Sequence, residues 1–323
     1  MNSKDFLTLR DFSPSEIQYL LILGRQVKAD PTAYSSALRR KTLAMIFEKP
    51  SLRTRVTFDV GIQQLGGYSL YLSPAEINLG KRESVHDVAK NLERMVQAIM
   101  IRTFDHAIVT EMARFASIPV INGLTDFSHP CQAMADYLTI WEAKGGLSGL
   151  KITFLGDGDN VARSLLFAGA QLGAHVWLAM PPGYELDADS VQWARNRGAE
   201  TGGTCTVTND PEEAVANADV IYTDVWASMG QEAQAQSRRH LFLPYQVDMT
   251  LFRRAKRDAI FLHCLPAHRG EEVTDEVIDS PRSLVFQQAE NRLHSQKAIL
   301  LELMKGEFLK LPGLAELHEL VHA

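Results

Sequence analysis

Hydroxyl and guanidinium side chains are concentrated in residues 51–55, which come soon after an apolar run. The apolar run 43–47 predicts a buried strand, and residues 53–65 predict a helix that ends at a glycine pair. At such a junction the first backbone N–H groups of the helix are unpaired, and the positive end of the helix dipole points outward. A hydroxyl cap with two guanidiniums at this point favours an anion, most naturally a phosphate.

The two arginines of this segment cannot both face one ligand. Arg53 and Arg55 lie two positions apart on the predicted helix, so they point to different sides of it. We assign Arg53 to the phosphate and Arg55 to a structural ion pair. Taken alone, an ordinary N-cap followed by solvated arginines explains the segment about equally well.

Further polar residues come at the ends of other predicted strands, where open α/β sheets place their ligands. Arg102 directly follows the apolar run 98–101, and His129 and Gln132 follow a loop after the next strand. Pro130 at the first helical position makes His129 the expected N-cap and places it near Gln132 on one helix face. A surface arginine and a capping histidine are the ordinary alternatives, so these residues indicate a site only as a group.

A second set of polar residues suits an amino-acid ligand. Asp224 ends a predicted strand, and Ser228 follows four residues later. An aspartate at a strand end binds an ammonium group, while nearby backbone N–H groups bind a carboxylate. A helix cap is the alternative interpretation. Cys264 also ends a strand, although most buried cysteines are inert, and Arg292 adds a cation after the predicted strand 284–286.

The glycine-containing segment from Gly156 to Asn160 lies between a strand and a helix, as in dinucleotide-binding proteins. The third glycine of that fingerprint is replaced by Val161, and no acidic residue ends the next strand to bind a ribose hydroxyl. The dinucleotide interpretation is therefore weak. The loop can still present Asn160 to a small polar substrate.

Short apolar strands alternate with helical patterns along the chain, which predicts an α/β fold with parallel sheets. The predicted strands are 43–47, 68–72, 98–102, 119–122, 151–155, 175–179, 204–208, 220–223, 260–263 and 284–286. Helix 132–144 runs into a glycine-rich turn, which is the expected domain boundary. We predict a first domain of 1–146 and a second of 147–295, with C-terminal helices in 296–323 (296–305 and 313–322) completing the first.

The bulk properties argue against several classes of protein. The chain has 323 residues, enough for two domains, and its net charge of −6 makes a nucleic-acid surface unexpected. No apolar run approaches the length of a membrane span, and the N-terminus carries no targeting pattern. The three cysteines form neither a disulfide framework nor a zinc-spaced set, which favours the reducing cytoplasm.

Together these segments resemble the aspartate/ornithine carbamoyltransferase family, from about Leu7 to the C-terminus. Residues 51–55 match its carbamoyl-phosphate signature, with Leu52 where threonine is commoner, and the His-Pro-Cys-Gln segment 129–132 matches its second signature. Asp224 with the Ser-Met-Gly segment after it, and the His-Cys-Leu-Pro segment 263–266, mark the ornithine branch. All four segments occur in order and in register, so the match is specific.

The resemblance implies two Rossmann-like domains, each a parallel β-sheet flanked by helices, and an enzyme without metal or organic cofactor. The first domain would bind carbamoyl phosphate and the second L-ornithine, whose δ-amine attacks the carbamoyl carbon. The implied carbamoyl-phosphate residues are Ser51, Leu52, Arg53, Thr54, Asn78, Arg102, His129, Gln132, Cys264, Leu265 and Arg292. The implied ornithine residues are Asn160, Asp224, Ser228 and Met229.

Within these sets the family assigns roles. Thr54, Arg102 and His129 would polarise the carbamoyl carbonyl. Gln132 and the carbonyl of Leu265 would orient the carbamoyl amine. Cys264, close to Asp224, would orient the δ-amine and would not act as a covalent nucleophile.

The resemblance further implies a homotrimer in which loop 77–84 reaches into the neighbouring subunit's site, with Asn78 as our candidate for the reaching residue. Segment 228–230 is expected to close over ornithine, with Gly230 as its hinge. Among rival acceptors, aspartate needs extra cations, N-acylated ornithine leaves Asp224 without an ammonium group, and putrescine has no carboxylate for Ser228. A nicotinamide dehydrogenase is disfavoured by the broken glycine fingerprint. A non-catalytic binding homologue is disfavoured because every expected site residue is present.

Overall fold

The computed structural model describes residues 3–227 and 235–305. The chain forms two compact units. The first runs through Leu138 and takes up the chain again from Glu290, and the second extends from Thr139 to Ala289.

The first unit is built on a four-stranded parallel sheet of order β2-β1-β3-β4. The strands are β1 (Thr42–Phe47), β2 (Tyr68–Leu72), β3 (Ala98–Arg102) and β4 (Val120–Leu124). Helices α1 (Pro14–Ala29), α2 (Leu52–Gln64), α3 (Pro74–Ile77), α4 (Val85–Leu92), α5 (His106–Phe115) and α6 (Pro130–Lys144) accompany them. The central strands β1 and β3 are almost fully buried, as expected for a parallel sheet covered on both faces.

The second unit is built on a five-stranded parallel sheet of order β7-β6-β5-β8-β9. The strands are β5 (Lys151–Leu155), β6 (His175–Ala179), β7 (Thr204–Thr208), β8 (Val220–Thr223) and β9 (Ile260–His263). Its helices include α7 (Asn160–Gln171), α8 (Ala188–Thr201), α9 (Pro211–Val215), α10 (Ala235–Phe242), α11 (Met249–Phe252) and α12 (Asp275–Ile278), and α13 (Val285–Lys305) begins within it. Both sheets confirm the predicted α/β class.

Each sheet has one point at which its strand order reverses. In the first sheet β1 pairs with both β2 and β3, and in the second β5 pairs with both β6 and β8. Open α/β sheets bind ligands beyond the carboxyl ends of the strands at such a point. The fold therefore directs attention to the residues that follow β1, β3, β5 and β8.

Local sequence explains where the helix after β1 begins and ends. The Ser51 hydroxyl accepts a hydrogen bond from the Thr54 N–H (3.2 Å), so Ser51 is the N-cap that the sequence predicted. After the helix, Gly66 adopts a left-handed φ of +84°, and a Cβ there would lie 2.7 Å from the Ser35 carbonyl oxygen. Glycine is required at this turn, which brings the chain into β2.

One predicted strand is wrong. Residues 284–286 form no strand, because Val285 already begins the 21-residue helix α13. A three-residue apolar run cannot be assigned by periodicity alone, and Phe286 is in fact 69% exposed. Every other predicted strand is confirmed to within two residues. The predicted helix 313–322 lies outside the described residues.

None of the helices in the described part of the chain combines the length and the apolar character needed to cross a membrane.

Candidate active site

The first unit gathers polar side chains beyond the carboxyl ends of its strands. Ser51 caps α2 immediately after the β1 segment, and Leu52 begins the helix with its side chain 74% exposed. Arg102, the last residue of β3, is buried, and His129 lies just before α6, with its carbonyl accepting from the N–H of Gln132 (3.1 Å). The sequence-predicted residues thus converge on the edge of the sheet where a ligand is expected.

Arg292 lies in this group, but at a position that the sequence did not predict. It belongs to the interior of α13, and not to a loop after a strand, because the expected strand 284–286 does not exist. Its fully buried guanidinium donates to Gln132 Oε1 (2.6 Å) and to Thr54 Oγ1 (3.1 Å). It therefore links the start of α2 to the start of α6.

His129 is buried among cations. Burial is the largest cause that holds the pKa of His129 well below its usual range, and the positive charges of Arg292, Arg102 and Arg53 add to it. The imidazole is consequently neutral and carries one ring proton. A neutral imidazole can donate one hydrogen bond without adding to the repulsion among these guanidiniums.

Lys49 is a further cation, for which the sequence predicted no role. It is buried two residues before the cap, with its Nζ 4.0 Å from the centroid of the Phe104 ring. Burial, followed by the charge of Arg102, lowers the pKa of Lys49, while Asp126 opposes this shift. Its position beside the predicted phosphate segment was the available signal.

Arg55 and Asn78 are two further residues of the first unit for which the sequence made a prediction. The prediction that Arg55 forms an ion pair is wrong, because it forms none with any residue that the structure describes. Its guanidinium instead lies 3.9 Å from the centroid of the Tyr71 ring, since Tyr71 is within reach on the neighbouring β2. Asn78 ends α3 with a left-handed backbone (φ +47°), in the loop expected to reach a neighbour.

In the second unit Asp224 follows β8 and is buried. Its Oδ1 accepts from the thiol of Cys264 (3.0 Å) and from the N–H of Val225 (2.8 Å). Burial raises the pKa of Asp224, although the thiol and the Val225 N–H act in the opposite direction. Since the thiol donates, Cys264 keeps its proton in this arrangement and is no thiolate.

The loop after β5 adds two more carboxylates. Asp159 caps α7 by accepting from the N–H groups of Val161 (2.9 Å) and Ala162 (3.4 Å), and Asn160 is the first residue of that helix. Burial, and then the charges of Asp224 and Asp157, raise the pKa of Asp159 well above its usual range. Carboxylates that influence one another in this way share protons and attract a cation.

Gly158 in this loop has a packing role. A Cβ on Gly158 would lie 2.5 Å from the carbonyl oxygen of Tyr184 and 2.6 Å from the backbone nitrogen of Leu186. The glycine is thus explained by the close approach of the 184–186 backbone. It needs no dinucleotide.

The segment after β9 is fixed by a buried histidine. His263 Nδ1 accepts from the Leu265 N–H (2.9 Å), and its Nε2 lies 3.0 Å from Glu272 Oε1. The ring proton must therefore be on Nε2, where it donates to Glu272. Leu265 has a left-handed φ of +59°, which is uncommon for a bulky residue. From sequence, His263 was recognised only as part of the His-Cys-Leu-Pro segment, and no pattern predicted Glu272.

Arg238 is a further residue that no sequence pattern predicted. This buried side chain donates to the carbonyl of Trp226 (2.8 Å) and pairs with Asp157 in the loop after β5. Burial nonetheless raises the pKa of Asp157, with Arg238 opposing the shift. The predicted ornithine residues Ser228 and Met229, and the predicted hinge Gly230, lie outside the described residues.

Asp224, His263 and Cys264 have donor atoms within 4.8 Å of one another, a spacing that would suit a metal ion. The hydrogen bonds described above already occupy the thiol proton, Asp224 Oδ1 and both nitrogens of His263. The set is therefore satisfied as a hydrogen-bonded group. Chemically, the first unit offers cations for an anion, and the second offers carboxylates for an ammonium group.

Comparison with protein families agrees with this division. Residues 4–142 match the carbamoyl-P binding domain, and residues 148–303 the Asp/Orn binding domain, of aspartate/ornithine carbamoyltransferase. The chain belongs to the aspartate/ornithine carbamoyltransferase family.

Relatives within the carbamoyltransferase family cover nearly the whole chain. An ornithine carbamoyltransferase of Thermococcus kodakarensis is 55% identical over 94% of this chain and 97% of its own length. One from Anoxybacillus flavithermus is 56% identical over 94% and 98%. The solved ornithine carbamoyltransferase of Pyrococcus furiosus has a TM-score of 0.91 at 53% identity, covering 94% of this chain and 98% of its own.

Proposed function

We propose that this protein transfers the carbamoyl group of carbamoyl phosphate to the δ-amine of L-ornithine, giving L-citrulline and phosphate. The observation that carries the proposal is the group of guanidiniums from Arg53, Arg102 and Arg292 around a neutral His129. Such a group suits an anionic substrate whose transferred carbonyl gains negative charge. The family's relatives of 53–56% identity support ornithine as the acceptor.

In this proposal the first unit holds carbamoyl phosphate. Ser51, Leu52 and Arg53 bind the phosphate through the start of α2, and the 74% exposure of the Leu52 side chain is consistent with a role for its backbone N–H alone. Thr54 accepts from Arg292, which leaves its hydroxyl proton to donate to the carbamoyl carbonyl. Arg102 and His129 donate to the same oxygen.

The chemical step needs a neutral amine. The δ-nitrogen of ornithine forms a bond to the carbamoyl carbon and loses one proton, which the leaving phosphate can take up. The bond from that carbon to the phosphate oxygen breaks, and phosphate leaves with the electron pair. Because charge grows on the carbonyl oxygen, preorganised donors there contribute most, and each is worth about 10²–10³ in rate. Holding the two substrates together supplies much of the rest.

The second unit holds ornithine in this proposal. Asp224, with Asn160, Ser228 and Met229, binds the α-ammonium and α-carboxylate, and the Cys264 thiol beside Asp224 orients the δ-amine. The acid-rich surroundings of Asp224 support a free α-ammonium. This argues against N-acylated ornithine, which lacks one.

We also propose a homotrimer in which Asn78 reaches the neighbouring subunit's site. An apolar surface on the first unit supports self-association. Leu52, Val56 and Val60 recur every four residues on α2 and are exposed, as are Tyr68 and Leu70 on the edge strand β2. Three cysteines without a disulfide are consistent with the cytoplasm.

The test is citrulline formation from carbamoyl phosphate with L-ornithine, N-acetylornithine, putrescine or aspartate at equal concentration. Ornithine should be strongly preferred. Preference for another acceptor would overturn the assignment of Asp224, and no turnover with any of them would support a binding protein.

A further inference from the structure

The side-chain amide of Gln132 is held at both ends by buried charged groups. Its Nε2 donates to Asp136 Oδ1 (2.8 Å), and its Oε1 accepts from Arg292 (2.6 Å). The side chains of Asp136, Gln132 and Arg292 are 0%, 2% and 1% exposed. Solvent therefore cannot substitute for either partner.

The chemistry of the two partners permits one orientation of this amide. An ionised carboxylate only accepts hydrogen bonds and a guanidinium only donates them. If the amide turned over, its nitrogen would face Arg292 and its oxygen would face Asp136. Both contacts would then be repulsive, and the buried Asp136 and Arg292 side chains could not bond to solvent instead. Asp136 and Arg292 together fix the Gln132 oxygen on the side of Arg292.

Asp136 and Arg292, which hold the amide, are fixed in turn by their own contacts. Asp136 lies one helical turn after Gln132 on α6, so the pair is set by helix geometry. Arg292 donates a second time to Thr54 Oγ1. Gln296 accepts from Arg292 Nη2 (2.8 Å) and donates to Thr57 when its amide oxygen faces the guanidinium. The orientation of Gln132 is thus built into the packing of the first unit.

We propose that Asp136 is a positioning residue that makes the site select a carbamoyl group over an acetyl group. The inference rests on the proposed function. An amide oxygen accepts two hydrogen bonds, and Arg292 takes one. The other is left for the amine of carbamoyl phosphate. Acetyl phosphate has a methyl group in place of this amine and cannot make the bond.

The experiment measures binding of carbamoyl phosphate and of acetyl phosphate by calorimetry, which does not depend on turnover. The full-length wild type is compared with Asp136→Ala, with Gln132→Ala and with the double variant. Asp136→Ala should lower the preference for carbamoyl phosphate about tenfold, the size of effect expected when one hydrogen bond to the carbamoyl amine is weakened. The double variant should show no further fall beyond Gln132→Ala, since Asp136 acts through Gln132.

Two further variants separate positioning from general damage. Asp219→Ala removes a buried carboxylate of the second unit that bonds the Lys151 N–H and Lys256, and should leave the preference unchanged. Asp136→Asn keeps an acceptor oxygen but adds a donor, so both amide orientations become possible. Its preference should fall by a smaller factor, about threefold, and it provides the test if Asp136→Ala does not fold.

Equal weakening of both ligands by Asp136→Ala, or full additivity with Gln132→Ala, would overturn the proposal. So would an unchanged preference in Asp136→Asn if that variant alone folds. Failure of the proposed function is distinguishable, because a wild type that prefers carbamoyl phosphate yet makes no citrulline from ornithine contradicts only that function.

Discussion

The two sheets of this protein carry opposite charges at equivalent places. Beyond its strand ends the first unit presents Arg53, Arg102 and Arg292, while the second presents Asp159 and Asp224. The underlying architecture is the same, a parallel sheet with one reversal of strand order. A few residues after the strands therefore decide the class of ligand, while the fold decides only where it binds.

The two charge groups also differ in how they relieve repulsion. Arginine does not lose its proton in proteins, so the cations of the first unit stay charged. The nearby His129 avoids further repulsion because its ring stays neutral. Carboxylates can take up protons, and burial raises the pKa values of Asp224 and Asp159. We expect ligand binding to depend on pH in the second unit far more than in the first.

The largest expected effect tests the cationic half. Arg53→Ala should lower kcat/KM for carbamoyl phosphate about 10³-fold, because it removes a charged donor to the leaving phosphate. Arg55→Ala is the matched control, since Arg55 contacts Tyr71 and should change this constant less than about threefold. Steady-state kinetics with ornithine saturating measure both. Equal losses in the two variants would contradict the assignment of the phosphate to Arg53.

The next effect tests the acidic half. Asp224→Asn should raise the KM for ornithine about 10–100-fold, as expected for losing one charged hydrogen bond. Binding of carbamoyl phosphate by calorimetry should change less than about twofold, because Asp224 lies in the second unit and the proposed phosphate-binding residues lie in the first. A comparable loss of affinity for ornithine and for carbamoyl phosphate would contradict the assignment of Asp224 to ornithine alone.

The pH dependence of ligand binding at Asp224 provides a third test of the difference between the two units. The pKa of Asp224 is raised by burial, so on acidification it binds a proton at a higher pH than an ordinary carboxyl group. The charged form attracts the α-ammonium, so affinity for L-norvaline, which has no δ-amine, should weaken as pH falls. The loss can reach about tenfold per pH unit for one proton. Inhibition constants across the acid range measure it, and an equally steep loss in Asp224→Asn would contradict it.

The smallest effect is an absence of titration. Because burial and three guanidiniums hold the pKa of His129 well below its usual range, its ring should stay neutral when the pH is lowered from about 8 to about 6. Nitrogen NMR of histidine-labelled protein, with exposed histidines of the same sample as reference and His129→Asn for assignment, measures this directly. A protonated His129 near pH 7 would remove the contrast between the two units.

Sequence patterns predicted most of the fold because parallel strands buried on both faces are short apolar runs. The prediction failed at residues 284–286, where such a run begins a helix. Strand ends also predicted Arg102, His129 and Asp224, since a parallel sheet brings these ends to one edge. Contacts between residues that are far apart in the sequence could not be predicted.

Three arginines illustrate that limit. The sequence named Arg292 as a cation but could not place it 160 residues away from Gln132 in the chain yet within hydrogen-bonding distance. It gave no role to Arg238, whose partners Trp226 and Asp157 come from other loops. Helix periodicity separated Arg55 from Arg53 correctly, but the partner of Arg55 is a ring on the neighbouring strand.

The buried guanidinium of Arg292 has a consequence for folding as well as for binding. Because burial costs a cation its hydration, an anion that binds these guanidiniums only in the folded form favours folding. A ligand that binds only the folded form at one hundred times its Kd contributes about 2.7 kcal/mol to the free energy of unfolding. If the proposed function holds, carbamoyl phosphate and the phosphate released from it therefore stabilise the first unit.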